Sequence, residues 1–303
     1  MSKSTAISID GGQTVENAFE HVLRSNLTGA QAWEPVALAG DDIEGVHQMR
    51  VCIRRMRSAL TVFRAAIPRK VTGSFAKEMR WAAKALDRAR DLDVYITENL
   101  SSKGKKQEKK LSKIARNHRK NAYRQVERFI QGRRYAKLCG DFSDWLQARK
   151  WREKLSDERR KGLEESITPY ASWVLEAHRA RILEDGNNIE ELDSDDLHQL
   201  RIDCKKLRYA TEFFAPLYSS RMKTFTAHLK GLQDLLGTLH DTSVMTGLQK
   251  DLLKGKKDKK LARYTRKLER QRHKEALGLI RETRIRWQSF SQAERPWLSG
   301  EAA

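Results

Sequence analysis

Apolar residues recur along this chain at the three- and four-residue spacing of an α-helix, and no run of β-branched residues alternates as a strand would. Thr14 is placed to cap a first helix carrying Val15, Phe19, Val22, Leu23 and Leu27. Gly40-Asp41-Asp42 then punctuates the chain and supplies carboxylates to the start of a second helix that should end near Pro68. A third predicted helix covers 71–100, through Met79, Trp81, Leu86, Leu92 and Val94, with Arg80, Lys84, Asp87 and Asp91 on one face. After a lysine-rich hinge at 101–110, a basic helix runs to 132, with Arg116, Arg119, Lys120 and Tyr123 as its polar stripe. Tyr135, Leu138, Phe142, Trp145 and Leu146 mark a closing helix. Residues 150–168 read as a charged connector, Pro169 reopens a helix, and a second lysine hinge falls at 254–260. Residues 1–12 read as a disordered start.

One stretch returns. Val46-His47-Gln48-Met49-Arg50-Val51-Cys52-Ile53-Arg54-Arg55-Met56-Arg57 is matched later by Leu197-His198-Gln199-Leu200-Arg201-Ile202-Asp203-Cys204-Lys205-Lys206-Leu207-Arg208. The His, the Gln, the following Arg, the basic pair and the last Arg keep their order in both copies, which implies an internal duplication. At about 100° per residue, Arg50, Arg54 and Arg57 lie within roughly 80° of His47. Val46, Met49, Ile53, Met56, Leu60 and Phe63 form the neighbouring core-facing arc. The second copy repeats the layout, with His198, Arg201, Lys205 and Arg208 beside Leu197, Leu200, Cys204, Leu207 and Phe214. The third helix has its counterpart at 229–248, which carries Lys230, and Asp241 aligns with Asp91. The basic helix has its counterpart at 259–288, with Arg263, Arg266, Lys267 and Arg270. A carboxylate among arginines, such as Asp91, is expected to orient them. The expected fold is all-α: two helical bundles of about four helices each, 1–150 and 151–303, related by the duplication.

Composition narrows the partner. Sixty Lys and Arg against forty Asp and Glu leave a net charge of +20, which self-repels in a compact state and calls for a polyanion: nucleic acid, an anionic membrane or a phosphate polymer. Five prolines in 303 residues suit long helices. Cys52, Cys139 and Cys204 lack CxxC spacing, and Cys204 falls on an apolar arc as a small hydrophobe. No apolar leader or membrane-length segment is read, so the expected location is cytoplasmic, away from membranes. The acidic segment 184–196 either solvates a loop and caps a helix, or shields the cations when no ligand is bound.

The doubled HQxR motif with its basic pairs, VHQMRVCIRRMRSAL and LHQLRIDCKKLRYATEF, each trailed by Arg90-Asp91 or His240-Asp241, resembles the CHAD domain, a family named for a conserved histidine in an α-helical domain. The resemblance spans roughly Val15 to Trp297. It implies paired four-helix bundles around a basic cleft that binds inorganic polyphosphate, and in some members an association with polyphosphate granules. The stretch before Val15 is too short for a fused catalytic domain, so a standalone module is expected. His47 and His198 occupy the name-giving positions; Arg50, Arg54, Arg55 and Arg57, with Arg201, Lys205, Lys206 and Arg208, fall on the basic ones. Arg80, Lys84, Arg116, Arg119, Lys230, Arg263 and Arg266 extend the expected polyphosphate-binding set. The second half departs by placing His240 where the first has Arg90.

Polyphosphate offers charge and no bases, so a binder needs spaced donors rather than stacking platforms, and arginine forks suit phosphate oxygens. The histidines could touch phosphate or orient neighbours. The main alternative is a nucleic-acid binder, with Tyr123 and Tyr209 available for stacking; nucleic acid is otherwise expected to bind only weakly and electrostatically. A metal-dependent phosphohydrolase using His47 or His198 with His240-Asp241 is disfavoured. Cations beside each histidine repel a metal, and no P-loop or nucleophile setting is present. The expectation is a non-enzyme without cofactor or metal.

Overall fold

The computed structural model describes residues 9–100, 105–218 and 220–298, with the side chains of residues 194, 239–243, 275–277 and 279–281 outside that description. The described residues are mainly helical, with an isolated β-bridge between Thr14 and Ser166. Helix α1 (Val15–Ala32) starts where the Thr14 hydroxyl accepts the Asn17 N–H at 3.2 Å. Helix α2 (Glu34–Ala39) ends at Gly40, whose φ of 72° is the left-handed conformation that favours glycine. Helix α3 (Ile43–Val62) carries the first motif copy and is capped by the Asp42 carboxylate, which accepts the Glu44 N–H at 2.8 Å. A Cβ on Gly45 would sit 2.4 Å from the Ala37 backbone nitrogen, so the missing side chain lets α2 lie directly on α3.

The chain continues as α4 (Arg69–Asn99), α5 (Lys106–Ile130), α6 (Arg133–Gln147), α7 (Asp157–Glu164) and α8 (Ile167–Asp185). The second motif copy lies on α9 (Ser194–Phe214), followed by α10 (Arg221–Leu253) and α11 (Lys259–Ser291). Several boundaries differ from the sequence expectation; α10, for one, runs from Arg221 to Leu253 rather than over 229–248. Helix α3 stops at Val62 rather than near Pro68: Phe63 leaves the helical conformation at φ −89° and ψ 13°, and the Arg64 N–H turns to the Thr61 carbonyl at 3.2 Å, one residue short of the helical partner. Pro68 serves instead as the N-cap of α4, which therefore begins at Arg69, two residues before the expected start. Pro169 lies inside the first turn of α8, where its missing N–H costs nothing, and Ser166 opens the helix. Residues 1–8 of the expected disordered start, and 101–104 of the first hinge, lie outside the described residues, whereas Ile9 is buried in the core.

The predicted apolar arcs are the core faces. Val46, Met49, Ile53, Met56, Leu60 and Phe63 are all buried, as are Leu200, Cys204, Leu207 and Phe214; Leu197 is partly buried against them. Neighbours pack in chain order: α1 on α3, α3 on α4, α4 on α5, and then α8 on α9, α9 on α10, α10 on α11. Across the two sets α3 meets α9, α4 meets α10 and α5 meets α11. Phe63 is the aromatic hub of this joint, with ring centroids 5.4 Å from Phe19 of α1, 5.6 Å from Tyr170 of α8 and 5.8 Å from Phe214 of α9. All three cysteines are free. No helix among the described residues is long and apolar enough to cross a membrane.

The charged connector is better anchored than its composition suggests. Trp151 is fully buried against Phe19 and Trp145, and its indole N–H donates to Glu16 Oε1 at 2.7 Å. Glu16, itself 2% exposed, also accepts from Arg149 and Arg152, each at 2.8 Å. Burial acts to raise the Glu16 pKa, but the Arg152 and Trp151 hydrogen bonds outweigh it and hold the carboxyl below its ordinary value. Its contribution is therefore complete at neutral pH and is lost as pH falls through that lowered value. Glu16→Ala is expected to cost about 3 kcal/mol in urea denaturation at neutral pH, because it strands a buried indole N–H and two guanidinium groups. Glu16→Gln, which keeps an acceptor, should cost clearly less.

Candidate functional site

Packing α3 on α9 brings the two cationic rows to one place. Tyr209, 2% exposed, lies beneath them: the Arg54 guanidinium carbon is 5.6 Å from its ring centroid and that of Arg208 4.8 Å. Glu212, one turn after Arg208, accepts from Arg208 Nη1 and from Arg55 Nη2 of α3, the latter at 3.1 Å. Asp87 of α4 accepts Arg50 Nε at 2.6 Å. Asp87, one turn before Asp91 on α4, thus orients Arg50. The Nε atoms of Arg54, Arg55 and Arg208 and the Tyr209 hydroxyl are buried without a hydrogen-bond partner among the described residues.

Electrostatics register the crowding. Burial, then Arg201, Arg54, Arg50 and Arg208, pull the Lys205 pKa down to about 8, so charges from both rows converge on this one amine. Burial and the nearby Arg80 lower Arg57, and burial lowers Arg54. His47 is half-buried, and burial with the Arg90 charge lowers its pKa, which keeps it neutral at physiological pH. Its counterpart His198 is exposed. The two motif histidines therefore occupy different environments.

The remaining candidates divide. Arg80 approaches the cluster through Arg57, while Lys84 and Lys230 are exposed on α4 and α10. Lys206 faces α8, donating to the buried Asp203 at 2.6 Å beside His178, so it stands apart from the row of Lys205. Arg119 is held as a structural clamp: Nε donates to Asp93 at 2.6 Å, Nη2 to the Gly40 carbonyl at 3.0 Å, and its guanidinium stacks 4.0 Å from the Tyr123 ring. Tyr123 donates its hydroxyl to the same Asp93, which is 1% exposed. Arg116 lines a separate hollow of about 730 Å³ beside α2 and α5, and Arg263 and Arg266 line another of about 430 Å³ on α11 with Lys267 and Arg270. The side chains of His240 and Asp241 lie outside the described residues. The acidic segment caps α9 through Asp193 and pairs Asp185 with Arg181 and Glu190 with Arg284, which is solvation and capping rather than cover over the cationic rows.

Sequence reasoning missed Glu212 and Asp93. Glu212 was findable, being four residues beyond Arg208 on the same helix. The Asp93–Arg119 pair joins α4 to α5 and leaves no local signal.

With the Lys205 pKa depressed in the folded state, the unfolded chain binds more protons between about pH 8 and pH 10.5, so this residue makes stability rise with pH across that window. Comparing urea midpoints of the native chain and Lys205→Met over that range should show the rise in the native chain and its loss in the variant.

A family model for the CHAD domain matches residues 21–250. The crystal structure of the CHAD domain from the plant Ricinus communis superposes with a TM-score of 0.78 at 21% sequence identity, covering 100% of this chain and 99% of that one. PptA from Streptomyces chartreusis superposes with a TM-score of 0.60 at 13% identity, covering 93% of this chain and 99% of its own. At these identities the likeness is one of fold. A search of curated proteins gave no match. On the family match, with the all-α fold that accompanies it, this chain belongs to the CHAD domain family.

Proposed function

We propose that this chain is a non-catalytic binder of inorganic polyphosphate, held in a basic cleft where α3 meets α9. The observation that carries the reading is the convergence of Arg50, Arg54, Arg201, Lys205 and Arg208, with Lys205 under the field of the other four. A flexible polyanion would relieve that repulsion, and the forked guanidinium groups offer paired donors to phosphate oxygens. The parallel packing of α3–α5 and α9–α11 supports an ancestral duplication, with halves near 1–150 and 151–303 each lending one row. A role at polyphosphate granules in the cytoplasm would follow from such binding.

The tyrosines favour this reading over nucleic acid. Tyr209 is buried under Arg54 and Arg208, and Tyr123 is committed to Asp93 and Arg119, so both are engaged in packing rather than offered to bases. Nucleic acid is left with a salt-sensitive electrostatic attraction.

Reversing Arg50, Arg54, Arg201 and Lys205 together to Glu should weaken long-chain polyphosphate binding by at least about a hundredfold while circular dichroism reports intact helices. The milder pair Arg201→Gln with Lys205→Gln should weaken it about tenfold. Retained affinity in either folded variant would contradict the site. Binding should also carry a proton signature, because phosphate beside Lys205 favours its charged form. Near pH 8 the heat of binding should depend on buffer ionisation enthalpy, showing proton uptake, and Lys205→Arg should remove that dependence.

A further inference from the structure

We propose that the hollow beside α2 and α5 is a nucleotide site, taking a nucleoside diphosphate or triphosphate. Its volume of about 730 Å³ is that of a small-molecule pocket. Three kinds of side chain line it. Arg116, Lys120 and Arg124 recur every fourth residue of α5, so they stand on one face, each about 6 Å further along the axis. Leu38, Ile43 and Ile96 bring an apolar wall from α2, α3 and α4, and Leu38 is 39% exposed. Asp41 and Glu127 add carboxylates. These groups are largely unclaimed by the fold. Lys120, Asp41 and Glu127 make no side-chain hydrogen bond or ion pair among the described residues. Arg116 gives only Nε to the Ser112 hydroxyl, at 3.3 Å, and Arg124 only Nη1 to the Asn121 side chain, at 3.2 Å. Their remaining N–H groups are left to a ligand. Arg119 and Tyr123, which also line the hollow, are held by Asp93 and shape it instead.

The combination selects the class of ligand. An inorganic phosphate chain would use the cations, leave the apolar wall bare and meet the two carboxylates as like charges. An aliphatic anion would cover the wall but offer the carboxylates no donor. A nucleotide serves all three: phosphates for Arg116, Lys120 and Arg124, a planar base against Leu38, Ile43 and Ile96, and ribose hydroxyl or base N–H groups for Asp41 and Glu127. The hollow on α11 supplies the contrast within the same molecule. Arg263, Arg266, Lys267 and Arg270 line it with no apolar side chain or carboxylate among the described residues, so nothing there distinguishes a nucleotide from a simple polyanion. The nucleotide site shares no residue with the cationic rows of α3 and α9 and does not rest on the polyphosphate reading.

The test is photolabelling of the intact chain with 8-azido-ADP at physiological salt, the labelled peptides being mapped by mass spectrometry. Label should saturate and fall on the peptides that carry Leu38, Ile43 or Ile96. ADP should suppress it at a concentration at least about tenfold lower than inorganic pyrophosphate does, because pyrophosphate gains nothing from the apolar wall. Lys120→Gln and Leu38→Gln should each raise the half-saturating concentration about threefold. Arg201→Gln with Lys205→Gln should leave it unchanged, which separates this site from the cleft. Label spread over the surface or concentrated on α9 overturns the proposal, as does suppression by pyrophosphate and ADP alike, or a Leu38→Gln chain that saturates as the native one does. A chain that takes the label as expected but fails to bind long-chain polyphosphate would uphold the nucleotide site and count against the cleft alone.

Discussion

Two helices that each carry a row of cations are packed side by side, and this like-charge contact sets the terms for the rest of the molecule. Repulsion between α3 and α9 has to be offset by what lies under and around the rows. The apolar arcs supply most of the offset, with Phe63 joining α1, α8 and α9 in one aromatic cluster. Glu212 bridges Arg55 and Arg208 across the joint, Asp87 holds Arg50, and the Tyr209 ring lies under Arg54 and Arg208. These partners fix the direction of the guanidinium groups but do not neutralise the cluster. Lys205 bears the residue of that imbalance.

On the proposed function, a site assembled in this way would be preorganised for a polyanion. The energetic cost of gathering the charges is met during folding, by the core, so a ligand that brings negative charge gains the attraction without first ordering the donors. The two halves do not contribute alike, since His47 is half-buried among arginines and His198 is exposed. Arginines on other helices follow a different logic. Arg119 commits its hydrogen bonds to Asp93 and Gly40, and Arg149 and Arg152 commit theirs to Glu16, so in this strongly basic chain many cations serve the fold rather than the ligand.

The helices and their buried faces were legible because a 3.6-residue period is a local property: every apolar position of the α3 arc is buried, and Asp42 and Thr14 cap where their chemistry places them. The doubled motif also identified the family, since order and type of residue survive without coordinates. What the sequence concealed depends on contacts distant along the chain. Lys206 and Lys205 are adjacent and alike in type, yet one faces Asp203 and α8 while the other faces α3. Arg119 shares a stripe with Arg116, but a buried aspartate on α4 claims it. Trp151 sits in a segment that reads as a charged connector, yet Phe19 and Trp145 pack on its ring and Glu16, at the other end of the first half, accepts its indole N–H.

The most direct measurement is titration calorimetry of the chain with long-chain polyphosphate at physiological salt, competed by single- and double-stranded nucleic acid in the same buffer. The account predicts tight polyphosphate binding that nucleic acid does not displace, because the rows between α3 and α9 offer forked donors and no open stacking surface. Equal binding of all three polymers, fading together as salt rises, would contradict it and leave the net charge of +20 as the whole explanation.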